Sequence, residues 1–164
     1  MRYATVVFLS LAVACSGGEI SVRRQFLAQS GVSVQFDTWV RSINNENQDS
    51  LALLYHQVPE LRVLNADGTV SRGWEETRDK WAEFFEGSGS VNFVADGLEY
   101  DVVNGDVVLV SFRYSLNTER SDGTRDPTLS GLGTIAWIHD RVDDLWKIHM
   151  QHLSVRYRSG DDAR

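Results

Sequence analysis

Cysteine, proline and clustered basic residues are what this sequence has least of. A single cysteine, Cys15, in 164 residues rules out an intramolecular disulfide. None is needed, because a chain of this length buries enough apolar surface to fold without one. Only two prolines, Pro59 and Pro127, interrupt the chain, so long helices and strands are free to form. Lys and Arg never run beyond the pair Arg23–Arg24, and 16 basic residues against 23 acidic ones leave a net charge of −7. Such a chain has no footprint for neutralising phosphates, so no nucleic-acid partner is expected. A membrane contact made by a polybasic patch is excluded on the same ground. The 42% hydrophobic and 24% charged content excludes disorder and fits one domain.

What is present begins at the N-terminus. Met1-Arg2-Tyr3 is short and positive, and Ala4 to Val13 is an uncharged, mostly apolar run. That run has the length of a secretory h-region and falls short of the roughly 20 residues a spanning helix takes. It ends in Leu11-Ala12-Val13-Ala14-Cys15, followed by Ser16-Gly17-Gly18. This resembles a bacterial lipoprotein signal, in which a cysteine after small residues is acylated and becomes the new N-terminus. The resemblance implies an exported, lipid-anchored protein of the bacterial cell envelope, at the outer membrane in a Gram-negative cell. The alternative is ordinary signal cleavage after Ala14, which leaves a free thiol. Residues 1–14 read as signal peptide, 15–31 as a lipidated tether, 32–157 as the folded domain and 158–164 as a polar tail.

Within the domain, Val32, Phe36, Trp39, Val40 and Ile43 recur at helical spacing. Asp49 is the expected N-cap of a short second helix through Leu51, Leu54 and Tyr55, which Pro59 ends. Leu61–Leu64 and Thr69-Val70 around Asp67-Gly68 read as a hairpin. Trp74, Thr77, Trp81, Phe84 and Phe85 line one face of a third helix. The period then changes to two. Leu98, Tyr100 and Val102 alternate before an expected tight turn at Asn104-Gly105, and Val108 to Leu116 alternate after it. Two further strands are expected at about 129–139 and 145–157. Helices first and strands afterwards make the fold class α+β: a cone-like, curved antiparallel sheet wrapped around about three N-terminal helices.

This order resembles the nuclear-transport-factor-2-like superfamily, and the run Trp146-Lys147-Ile148-His149-Met150-Gln151-His152-Leu153-Ser154 resembles the end of its SnoaL-like domains. There a Trp-Lys-Ile is followed by His-x-His-x-Ser. His152 and Ser154 match, and Met150 stands where the first histidine is usual. The resemblance implies relatives that include polyketide cyclases, ketosteroid isomerases and non-enzymes, so it speaks for fold more than for activity. It also implies a homodimer formed through the outer sheet face, where Val107, Leu109 and Leu153 are expected.

Period two across the last strand puts Trp146, Ile148, Met150, His152 and Ser154 on the inward face. His152 is thereby a candidate to orient a ligand or move a proton, and equally a hydrogen-bonded core histidine. Tyr55 and Tyr114 are its expected companions, as phenols able to donate to a carbonyl or enolate oxygen. Trp39, Trp74 and Trp81 supply core, and at least one of them should line a cavity if one exists. The expected ligand-binding set is Trp39, Tyr55, Trp74, Tyr114 and His152. Glu99 and Asp101 are expected to face out, and Asp96 beside Gly97 sits at an expected bulge, so no acid is placed inside. No metal site is expected, since the four histidines share no ligand spacing. Gly131-Leu132-Gly133 lies within a strand and is no phosphate loop. No cofactor is expected.

Three functions remain open. One is a pocket domain that binds a small, largely apolar molecule from its lipid tether. Another is an isomerase, cyclase or dehydratase using His152 with a tyrosine. The third is a pocketless interaction module. The anchor is tested by feeding cells a fatty-acid probe, which should label the wild type and leave Cys15→Ser unlabelled. Equal labelling of both refutes acylation at Cys15.

Overall fold

The computed structural model describes residues 22–103 and 105–156. The expected signal peptide, Cys15, the polar tail and Asn104 lie outside the described residues. Helix α1 (Val22–Asn44) turns its buried residues, Ala28, Val32, Phe36, Trp39 and Ile43, along one stripe at spacings of three and four. It begins ten residues before the expected domain start. Ala28 packs into the core, Arg24 pairs with Asp106 at 2.9 Å, and Gly31 lets Trp146 approach the helix backbone closely. Those three contacts give residues 22–31 something to fold against.

Helix α2 (Gln48–Leu54) is capped by Asn47, whose side chain accepts from Ser50 N–H at 2.9 Å. The cap lies two residues before the expected Asp49, which occupies the first helical turn and favours the helix dipole there. Strands β1 (Arg62–Leu64) and β2 (Val70–Arg72) pair antiparallel around Gly68, whose φ of 83° suits the turn. Helix α3 (Gly73–Gly87) follows directly.

Four long strands complete the sheet: β3 (Ser90–Val102), β4 (Val107–Glu119), β5 (Leu129–Asp140) and β6 (Leu145–Val155). β3 starts earlier than its alternation suggested. It bulges between Asp96 and Glu99, with Gly97 at φ 62°, as the sequence indicated. The strand order is β2-β1-β6-β5-β4-β3. All pairings are antiparallel except β1 with β6, so the sheet is mixed, and this one parallel pairing corrects the all-antiparallel expectation. It arises because the segment after α2 returns alongside β6, bridging Tyr55 to Ile148 before β1 begins. Among the described residues no helix is long and apolar enough to cross a membrane.

On β5, Gly131 and Gly133 are places where side chains from other strands lie. A Cβ on Gly133 would overlap the Phe112 ring, and one on Gly131 would overlap the Ser154 carbonyl and crowd Tyr114. The Gly-x-Gly therefore serves packing: it lets two aromatic rings of β4 cross the sheet.

The largest departure from the sequence expectation is in β6. Trp137 pairs with Ile148 and Ala136 with Met150, so His149 is an extra residue on the bulged strand. Inward parity changes there. Trp146 and Ile148 face in before the bulge and Gln151 faces in after it, while Met150 and His152 are exposed. The inward placement of His152 is thus corrected, because one inserted residue reverses every side chain beyond it. Leu153 moves the other way, from the expected outer face to the interior side.

The bulged His149 meets His56 with Nδ1 atoms 3.3 Å apart, a contact that requires one of the two nitrogens to be unprotonated. Burial holds His149 below the ordinary histidine range, and repulsion from His56 adds to the effect. The folded state resists a proton that the unfolded chain accepts. Stability should therefore be full above the ordinary histidine pKa of about 6.5 and decline as pH falls below it. Urea midpoints between about pH 7.5 and about pH 5 should fall for the wild type and stay flatter in His149→Gln. Parallel curves for the two proteins contradict this role.

Candidate functional site

A cavity of about 440 Å³ opens between α3, the β1–β2 turn and the inner face of the sheet. That is the size range of sites for small organic ligands. Trp81 and Phe84 come from α3, Phe93 from β3, Tyr114 and Leu116 from β4, and Gln151, Leu153 and Val155 from β6. The alternation of β4 and the helical spacing of α3 bring these groups to one space. Phe93 stacks on Tyr114 with centroids 5.4 Å apart, giving that side a flat aromatic wall. A second hollow shares Asp67, Lys80 and Phe84 with the cavity.

The wall's polar framework centres on Tyr55, which is fully buried at the end of α2. Its hydroxyl accepts from Trp39 Nε1 at 3.2 Å and Trp81 Nε1 at 3.1 Å, and donates to Gln151 Oε1 at 2.6 Å. All three hydrogen-bonding directions of the phenol are used. Burial raises the Tyr55 pKa well above the ordinary tyrosine value. It stays a neutral phenol and works as a fixed node in the wall. Gln151 is 1% exposed and lines the cavity. No acceptor within the described protein takes up its Nε2 hydrogens.

At the mouth, Asp67 accepts from the Thr69 hydroxyl at 2.6 Å and the Thr69 backbone N–H at 2.9 Å. Those bonds hold its carboxyl below the ordinary range, with Lys80 adding to the effect at 3.1 Å. Hydrogen bonds to Asp67 and Glu83 hold Lys80 above its ordinary value. Both charges are therefore locked on at neutral pH. An exposed pair of this kind contributes at most about 1 kcal/mol, so it does not seal the entrance. Burial also raises Tyr114, whose hydroxyl donates to the Ser154 carbonyl at 3.2 Å.

Of the five expected ligand-binding residues, Tyr114 alone lines the cavity. Trp39 and Tyr55 stand behind the wall and hold it. Trp74 packs on Tyr55 with centroids 5.6 Å apart, outside the lining. His152 is exposed on the far side of the sheet, opposite Thr134 and Leu64, and is brought to neither tyrosine. Trp81 is the tryptophan that reaches the cavity. Gln151 was missed, because unbroken period two assigned it to the outer face. Asp96, Glu99 and Asp101 are exposed, and Asp96 pairs with Arg113. Among the described residues no three acids, histidines or cysteines gather as a metal site.

If Tyr55 organises the wall, Tyr55→Phe leaves two indole donors and one amide oxygen without their partner. It should destabilise by on the order of 2–4 kcal/mol, against about 1 kcal/mol or less for Tyr114→Phe, which loses a single bond. Urea unfolding of the two variants checks this, and equal losses contradict it.

Comparison with known proteins gives the lineage. The SnoaL-like domain family matches residues 32–158. No curated protein matches the sequence. Among solved structures, an NTF2-like superfamily protein from Salmonella enterica superposes with a TM-score of 0.74 at 16% identity, covering 85% of this chain and 99% of its own. A proposed dehydratase of the NTF2-like family from Streptomyces avermitilis gives 0.69 at 14%, covering 81% and 99%. The hexachlorocyclohexane dehydrochlorinase LinA Type2 gives 0.71 at 11%, covering 82% and 89%. At such identities these likenesses carry the fold alone. With its helices over one face of the sheet and its aromatic cavity between them, the chain has the fold of these NTF2-like structures and belongs to the SnoaL-like domain family.

Proposed function

We propose that this protein is a binding protein for a small, largely apolar molecule, held at a bacterial membrane by a lipid on Cys15. The observation that carries the binding reading is the chemistry of the cavity wall. It is largely aromatic and aliphatic, and its two fully buried polar side chains are neutral: Thr77, whose hydroxyl donates to the Gly73 carbonyl, and the amide of Gln151. Burial of an apolar ligand against such a wall contributes roughly 25 cal/mol per Å².

The same wall weighs against acid–base catalysis. A catalytic acid or base works best with a pKa near the operating pH. Here Asp67 is shifted down, while Lys80 and Tyr114 are shifted up, each further into its resting state. The dehydratase and dehydrochlorinase among the structural neighbours make an elimination enzyme the second reading. Here it would need a proton acceptor in the cavity besides these.

Support for the membrane location comes from the sequence before the domain and from α1. The apolar residues Val22, Phe26 and Leu27 are exposed on its first turns, within the stretch 15–31 expected from the sequence to be the tether. A homodimer through the outer sheet face remains part of the proposal on family resemblance, with half-buried Val107 and Leu109 on that face.

The neutral fluorophore N-phenyl-1-naphthylamine tests the pocket. The purified protein should give saturable fluorescence enhancement, and Leu153→Trp, which fills the cavity from β6, should abolish it with the fold retained. No saturable signal from the wild type, or an undiminished one from Leu153→Trp, overturns the reading.

A further inference from the structure

Two buried neutral polar side chains line the cavity, and Thr77 already spends its proton on the Gly73 carbonyl. The other, the Gln151 amide, has a fixed orientation, and that orientation carries chemical information. An indole N–H can only donate. Trp39 and Trp81 both direct theirs at the Tyr55 oxygen, so the phenol must accept twice. Its one proton is left for a third partner, which must be an acceptor. That partner is Gln151, 2.6 Å away. The two ends of an amide are usually interchangeable on shape alone. Here the donor count decides: Oε1 is taken by Tyr55, and the –NH2 is the end left over. Gln151 lines the cavity, Tyr55 does not, and the amide nitrogen has no acceptor among the described residues.

Building on the binding-protein reading, we infer that the cavity selects neutral, largely apolar molecules that carry a carbonyl oxygen, as in a ketone, ester or lactone, and that the Gln151 amide N–H2 donates to that oxygen. An anion does not suit the site, since it would be desolvated among Phe84, Phe93, Leu116 and Leu153 against one neutral amide. The only cation of the lining, Lys80, stands at the mouth and is already paired with Asp67. An alcohol can accept the same bond, but it brings a proton of its own, which needs a further acceptor placed to meet it. A carbonyl oxygen offers two lone pairs and asks for nothing in return. Tyr55 is thus a positioning residue: it sets which end of the amide the ligand meets.

Two probes of nearly equal shape isolate the effect, 2-acetylnaphthalene and 2-ethylnaphthalene. The hydrocarbon is the more water-averse, so a cavity without a usable donor must bind it more tightly. Equilibrium dialysis of the purified protein should instead show the ketone bound more tightly by about tenfold or more. The carbonyl stretch of bound 2-acetylnaphthalene should move to lower frequency. In Gln151→Met, which keeps the side-chain length and removes the donor, the preference should reverse and the frequency shift should vanish. If Gln151→Met does not fold, the wild-type ratio and the wild-type frequency shift decide the question. Wild-type binding of both probes with the hydrocarbon equal or tighter overturns this inference and leaves the binding reading intact. A ketone preference that survives in Gln151→Met also overturns it, by placing the donor elsewhere. Binding of neither probe overturns the pocket reading itself, and this inference with it.

Discussion

The phenol of Tyr55 is the constraint on which the rest of the interior depends. It closes a junction between α1, α3 and β6 through Trp39, Trp81 and Gln151, and no other described side chain joins those three elements by hydrogen bonds. The two tryptophans are apolar in bulk and polar at one atom, and Gln151 brings its amide oxygen. Buried without a mate, each such atom would cost on the order of 1–3 kcal/mol. With all of them satisfied at one oxygen, large aromatic groups can fill the interior without leaving an orphaned donor at the junction. The arrangement also limits where α3 can sit, because Trp81 must reach Tyr55 from one side while facing the cavity from the other.

A cavity of this size costs packing energy, and the structure shows how its walls are kept apart. Tyr114 and Phe112 project from β4 across a β5 stripped to glycine at positions 131 and 133. Phe93 stacks on Tyr114 from the next strand, and Trp81 and Phe85 stack on one another along α3. Stacked rings are stiff, with few rotamers to lose, and they resist collapse into the space between them. The bulge at His149 then turns Leu153 and Val155 toward that space. Without it, the strand would present Met150, His152 and Ser154 there, and the wall would be more polar.

Much of this was legible in the sequence. Helical spacing located the buried face of α1, the Asp-Gly turn located the hairpin, and Gly97 marked its bulge. The failures have physical causes. Asn47 displaced Asp49 as the cap because the chain between α1 and α2 is tighter than composition suggested. The start of α1 was hidden because residues 22–31 are mostly exposed, so little apolar periodicity betrays them. The error at His152 is the instructive one. Trp146 and Ile148 set an even apolar parity, and Leu153 and Val155 set an odd one. That switch within a single strand was the available sign of an inserted residue, and it points to Gln151 as inward. No comparable sign existed for the Tyr55 junction. It joins residues 16, 26 and 96 positions apart, and only the folded chain brings them together.

The relation between this pocket and the enzymes that share its fold follows from the same wall. Elimination or isomerisation at carbon needs a base whose proton affinity is near neutral and a donor for the developing oxyanion. The wall supplies a donor in Gln151 and withholds the base, since its carboxylate sits at the mouth, already bonded to Thr69 and Lys80. On the proposed binding reading, such a donor without a base would polarise a bound carbonyl and leave its protons in place. The orientation of that donor is set from behind the wall, by Tyr55 and two tryptophans. Substitutions among the residues lining the cavity would therefore alter the shape it accepts while leaving the outward end of the Gln151 amide unchanged.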